Sequence, residues 1–128
     1  MTLLLDTHTL FWWVIEEDKQ PPLVFAALQD RRNDVFVSIA SAWEMAIKVG
    51  IGKWPEAAGL VDKFDQEAAA TGFRILPISL AHVRAAGLMQ TPHRDPFDRL
   101  LAAQAAIEDL TFVTGDTKLG GLGAQVLW

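Results

Sequence analysis

The sequence predicts an α/β fold, a three-layer α/β/α sandwich with a central parallel sheet of four to five strands. Short apolar runs of strand length alternate with segments of helical length along the whole chain. The first run, Leu3-Leu4-Leu5, is apolar throughout, as a strand buried on both faces must be. Four acids, Asp6, Glu44, Asp98 and Asp116, stand where strands should hand over to helices. In a parallel sheet the carboxyl ends of the strands share one crevice, so these side chains are expected to converge there.

After Leu3–Leu5 the chain is expected to form a helix from about Thr9 to Ile15. A second helix opens at Pro21-Pro22 and runs through Asp30, proline being tolerated in a first turn. Val35-Phe36-Val37 reads as the second strand, followed by a helix through Val49. Gly50-Ile51-Gly52-Lys53-Trp54-Pro55 ends that helix. Ala57, Leu60, Val61, Phe64 and Ala68 then recur at helical spacing, with Asp62, Lys63 and Glu67 off the stripe. Ile75-Leu76-Pro77-Ile78 is the third strand, and Pro77 marks it as an edge or a strand end. Ser79 can cap a short helix ending near Gly87. A polar loop leads to a long helix from Pro96 to about Glu108, a strand at Thr111-Phe112-Val113 and a short last strand near Val126.

At 128 residues the chain suits one domain, 1–128, with a core of its own. No repeat, low-complexity tract or linker interrupts it. It has no cysteine, which excludes disulfides and thiolate metal sites. A bound metal must therefore be held by oxygen or by the three histidines, which favours Mg²⁺ or Mn²⁺. No leader or membrane-length apolar stretch is present, so a cytoplasmic location without membrane contact is expected. The net charge of −5 falls to −1 once the four acids are set aside. Charge alone gives no signature of nucleic-acid binding.

Each acid also has a plain structural explanation. Asp6 can start a helix, and Glu44 can close a capping box with Ser41, unless Ser38 starts that helix and leaves Glu44 almost two turns in. Lys48, four residues on, can pair with Glu44. Asp95-Pro96-Phe97-Asp98 is a strong helix start, with Asp95 as cap and Asp98 in the first turn. Ala102 and Ala105 share the face of Asp98 and leave room beside its carboxylate. Asp116 can cap the segment after Thr114-Gly115, and the Thr114 hydroxyl can orient a carboxylate or a water. Capping does not explain why all four acids sit at the strand exits of one sheet. Carboxylates a few ångströms apart repel by several kcal/mol at an effective dielectric of about 20, which calls for protonation or a divalent cation.

The segments DTHTLFWW, SIASAWEMAIKVGIGKW, HRDPFDRLLAAQA and FVTGDTKL, with ISLAHV before the third, together resemble the PIN-domain ribonucleases. The likeness runs nearly end to end and is greatest to the small VapC-type toxins of toxin–antitoxin pairs. It implies a PIN-like parallel sheet, Mg²⁺ or Mn²⁺ dependence and endonucleolytic cleavage of RNA. Matched by motif, Asp6, Glu44, Asp98 and Asp116 are the catalytic and metal-binding acids, in that order, and Asp95 corresponds to an additional acid. On this basis Asp6 and Asp98 are expected to bind the metal most directly. Lys48, Lys53, Arg94, Arg99 and Lys118 flank the acids, and Arg99, Lys48 and Arg94 are the candidates to contact RNA phosphates. The resemblance further implies a small VapB-type antitoxin whose tail covers the site, and a homodimer. In the apolar helix Leu10–Ile15, Trp12 and Trp13 are candidates for such an interface, although core packing accounts for either. His82 and His93 are expected to be hydrogen-bonded structural residues. His8 can reach the site but is not expected to be a ligand.

Two other phosphate-handling folds fit less well. A haloacid-dehalogenase-like phosphatase needs an acid two residues after Asp6, where this chain has His8. A receiver domain needs paired acids after the first strand, which LLLDT lacks, and an aspartate ending the third, which ILPIS lacks. A catalytically silent PIN-like module binding RNA or protein is the alternative from a different class.

Overall fold

Leu3, Leu4 and Leu5 are all fully buried, and they divide between the two faces of one sheet. The computed structural model describes the backbone of residues 1–128 and every side chain except that of Thr117. Strand β1 (Thr2–Leu5) pairs in parallel with β2 (Asp34–Ser38) on one side and β4 (Thr111–Val113) on the other. Strands β3 (Arg74–Leu76) and β5 (Val126–Leu127) extend the sheet to the order β3-β2-β1-β4-β5, with every pairing parallel. The chain moves from β1 outward through β2 and β3, then returns to the opposite side of β1 for β4. The switch point therefore lies between β1 and β4.

Side-chain alternation along the strands separates two cores. Leu3, Leu5, Val35, Val37 and Val113 pack against α1 (Thr7–Ile15), α2 (Pro22–Gln29), α4 (Ala58–Asp62), α5 (Phe64–Thr71) and Met45 of α3 (Ile39–Gly50). Leu4 and Phe112 face the other way, onto α6 (Leu80–Leu88) and α7 (Pro96–Ile107). In α7 Leu101, Ala102 and Ala105 are wholly buried; the small residues bring this helix close to the sheet, as their spacing predicts. The five-stranded α/β/α sandwich is the fold that the sequence predicts.

Three local readings change. First, α1 begins at Thr7, not Thr9, because Asp6 caps it through the Thr9 N–H at 2.7 Å. Second, Ser38 caps α3 by accepting from the Ala40 N–H, so the Ser41–Glu44 capping box does not form. Glu44 thus lies well inside the helix. Third, the helix expected across Ala57–Ala68 is broken at Lys63, whose backbone is non-helical (φ −115°, ψ 27°). The apolar stripe still holds: Ala57, Leu60, Phe64 and Ala68 are all buried. Gly72, at φ 78°, ends α5 in the left-handed conformation and turns Phe73 into the core. Pro77 follows the last residue of β3, and β3 is also an edge. No helix among the described residues is long and apolar enough to cross a membrane.

Candidate active site

One cleft, of about 820 Å³, lies at the starts of β2 and β3, beside Asp34 and Arg74, and contains none of the four acids. Another, of about 520 Å³, opens at the carboxyl ends of β1 and β4, where a parallel sheet places its ligands. Asp6, Asp98, Thr114 and Asp116 line it, with His8, Trp12, Gly115 and Trp128.

Local structure aims each acid. Asp6 leaves β1 and is held by its own cap to Thr9, while its N–H donates to Val113 O at 3.0 Å, tying β1 to β4. Asp116 leaves β4. Its N–H donates to the buried Thr114 Oγ1, and its Oδ1 accepts from Lys118 N at the start of the 3-10 turn Thr117–Leu122. Asp95 caps α7 by accepting from Phe97 N and Asp98 N, which fixes the first turn and hence Asp98.

Glu44 is buried on α3. Thr7 Oγ1 donates to its Oε1 at 2.6 Å, and Lys48 Nζ donates to Oε2 at 2.7 Å. Lys48 also lies over the Trp54 ring, 5.7 Å from its centroid. A buried carboxylate needs such a partner, since the attraction must offset its lost hydration. Thr7 adjoins Asp6 in sequence, so this network joins Glu44 to the first acid.

Burial raises the Asp98 carboxyl above its ordinary range, and the charges of Asp95 and Glu44 push the same way. A hydrogen bond with His93 Nε2, 3.0 Å from Asp98 Oδ2, opposes the shift. Glu44 therefore acts electrostatically on this cleft, although Lys48 partly offsets its charge.

Among the described residues, one set of potential ligand atoms lies within 4.8 Å of one another: His93, Asp98 and Asp116. Two ionised carboxylates at that separation repel by about 3 kcal/mol at an effective dielectric of about 20. Two carboxylates and an imidazole nitrogen, with Asp6 in the same cleft, form an oxygen-rich donor set that suits Mg²⁺ or Mn²⁺. The grouping differs from the expected one. His93, Asp98 and Asp116 form the tight set, with His93 Nε2 3.0 Å from Asp98 Oδ2, and Asp6 and Glu44 stand outside it. His93 is hydrogen-bonded, as expected, but to Asp98, and its closeness to Asp116 makes it a candidate ligand that the sequence did not single out. Its signal was its place inside HRDPFDR between two prolines, Pro92 and Pro96, which restrict the path of the loop.

The basic candidates separate as well. Arg99 Nη2 donates to Ala86 O, Gly87 O and Met89 O at 2.7–3.3 Å, so its guanidinium clamps the end of α6 instead of projecting toward a phosphate. Lys48 is spent mainly on Glu44, while Arg94, Lys53 and Lys118 are exposed. Trp13 packs with Phe25 and Phe73, whereas Trp12, one residue away, forms part of the cleft wall. His82 is a buried structural residue, as expected: its Nδ1 accepts from Ser79 N and its Nε2 donates to Glu108.

The chain is thus a parallel α/β/α sandwich with acids from separate segments facing one cleft at its switch point. The chain matches the PIN domain family over residues 3–123 and belongs to that family. No curated protein matches it. Solved structures share the fold at low identity. VapBC2 from Rickettsia felis, bound to a DNA fragment from its promoter, is 19% identical with a TM-score of 0.73, covering 99% of this chain and 98% of that one. DNA-bound VapBC from Salmonella typhimurium is 13% identical with a TM-score of 0.67, covering 99% and 97%. FitAcB from Neisseria gonorrhoeae is 22% identical with a TM-score of 0.66, covering 98% and 96%.

Proposed function

We propose that this protein is a Mg²⁺- or Mn²⁺-dependent endoribonuclease, the cytoplasmic toxin of a toxin–antitoxin pair, built as a single PIN domain. The observation that carries the reading is the meeting of Asp6, Asp98 and Asp116, from three distant segments, in one cleft, with Glu44 acting on Asp98 from a fourth. A bound cation would stabilise charge developing on the phosphoryl oxygens and make a water more acidic. Asp98, Asp116 and Asp6 would hold it, with His93 beside them. Glu44, fixed by Thr7 and Lys48, supplies negative potential, while Asp95 and Thr114 hold the backbone that aims Asp98 and Asp116. Arg94, which is exposed, is the candidate to grip flanking phosphates, because Arg99 is committed to α6 and Lys48 to Glu44.

A labelled oligoribonucleotide tests this reading. Cleavage with Mg²⁺ or Mn²⁺ should leave 5′-phosphate and 3′-hydroxyl ends, and EDTA should slow it on the order of 10³-fold or more. Products ending in 2′,3′-cyclic phosphate, or cleavage indifferent to EDTA, would overturn it. A silent PIN-like binding module would bind RNA or protein without any metal-dependent turnover.

The proposed partners are a small VapB-type antitoxin and a second copy of this chain. The solved structures that share the fold include a toxin–antitoxin complex from Klebsiella pneumoniae, which supports the antitoxin. For the homodimer, support comes from an apolar surface across α3, α6 and α7. Ile39, Trp43 and Ile47 recur on the outward face of α3, and Trp43, 55% exposed, meets Phe97 edge-on at 5.1 Å. Leu80 and Val83 extend the patch on α6. A contiguous apolar surface of this kind marks a protein contact. Trp43→Glu should convert a dimer into a monomer in sedimentation equilibrium. An unchanged mass, or a monomeric parent protein, would remove this interface.

A further inference from the structure

One wall of the acid cleft is aromatic. Trp54 and His8 stack at 4.8 Å with an interplanar angle of 21°, His8 meets Trp12 edge-on at 6.1 Å, and Trp12 lies 6.0 Å from Trp128. His8, Trp12 and Trp128 line the same cleft as Asp6, Asp98 and Asp116. Trp128 is held in place by its neighbours. The pairing of Leu127 with Val113 brings it alongside β4, and its indole lies against Gly115, the residue before Asp116. A Cβ at position 115 would come within 2.9 Å of the indole ring, so the contact depends on glycine there. Trp128 is nonetheless 38% exposed.

Trp12 is part-buried against the core, Trp128 is part-exposed, and both indoles stand beside the carboxylates. They suit a ligand with a flat apolar part joined to an anionic part, as in a nucleotide. The chain's charge of −5 also limits how much affinity phosphate contacts can supply, whereas stacking on a ring needs no positive charge. Resting on the nuclease reading above, we infer that Trp128 and Trp12 form a stacking platform for an unpaired nucleobase at the edge of the acid cleft. Paired bases have both faces covered by their neighbours, so the platform selects single-stranded RNA, loops and bulges.

The test measures binding of a fluorescein-labelled single-stranded oligoribonucleotide to the metal-free protein, alongside cleavage with Mg²⁺. Trp128→Leu and Trp12→Leu should each weaken binding by about tenfold or more, and Trp128→Phe by only about threefold. An abasic site beside the scissile bond should weaken binding by the parent protein and leave Trp128→Leu unaffected. A duplex of the same sequence should bind equally to both. Unchanged melting temperatures show that the variants fold, and Trp12→Leu serves if Trp128→Leu does not. Equal single-strand affinity across the series with cleavage intact sinks the platform and spares the nuclease. Trp-dependent binding without cleavage does the reverse. Weakened binding of a protein partner with RNA affinity unchanged also overturns the platform.

Discussion

Asp98→Asn is expected to lower RNA cleavage by on the order of 10³-fold or more, while the metal-free protein melts at a higher temperature at pH 7. The amide cannot take the anionic form that a hard cation requires. It can still accept the hydrogen bond from His93, so the loop that precedes α7 stays in place. The stability gain follows from the sign of the pKa shift. Burial raises the Asp98 pKa above the ordinary aspartate value of 3.8 in the folded protein. Between 3.8 and that raised value, the native state holds a proton that the unfolded chain has released. Stability from this group therefore falls as pH rises through the window, and above it the ionised carboxylate is a net cost. Below the window the parent and Asp98→Asn should melt alike. For the parent, metal binding and cleavage should be lost on acidification at a higher pH than an ordinary aspartate would give. A melting series in EDTA and a cleavage profile across pH check both halves. Retained cleavage, or a lower melting temperature at pH 7, contradicts the account.

Gln104→Ala should cost about 3 kcal/mol or more, lowering the melting temperature by about 10 °C. Gln104 is fully buried on α7 between the sheet and α6. Its Oε1 accepts from Ser38 Oγ, and its Nε2 donates to Pro77 O at 3.2 Å, with His82 Nδ1 at 3.3 Å. Truncation leaves the Ser38 hydroxyl proton without an acceptor and the Pro77 carbonyl without the Gln104 donor, at about 1–3 kcal/mol each, and opens a cavity as well. Gln104→Met restores volume without the polar groups, so it should recover only the cavity part, about 1 kcal/mol. Urea midpoints at constant slope measure each step. The network matters to the site because it ties the ends of β2 and β3 to α7, whose first turn carries Asp98. Equal stability of Gln104→Ala and the parent would show that the network contributes nothing.

Much of the architecture is legible in the sequence because its determinants are local. Leu3–Leu5, Val35–Val37 and Thr111–Val113 are strands because short apolar runs bounded by turn signals can be buried on both faces. Ser79 and Asp95 cap the helices that they precede, and Ala102 and Ala105 mark the face of α7 that meets the sheet. The parallel arrangement follows from the helices between strands, and the gathering of acids at one edge follows from the parallel arrangement. Periodicity says less where capping residues compete, which is why Ser38 rather than Ser41 starts α3. It also misses a single-residue break such as Lys63, which leaves the apolar stripe intact.

Only the tertiary structure decided which groups share the cleft. His93 comes to Asp98 because the loop before α7 turns back on the helix it precedes. Trp128 comes to Gly115 because β5 pairs with β4, and Arg99 turns to the end of α6 because that helix exposes carbonyls within its reach. None of these contacts repeats at a helical or strand period. Residue order along a chain encodes which face of an element is apolar, but a loop's path depends on the surfaces it packs against. The acids that come to face one cleft were therefore marked in the sequence, while their arrangement depends on contacts formed only once the sheet is assembled.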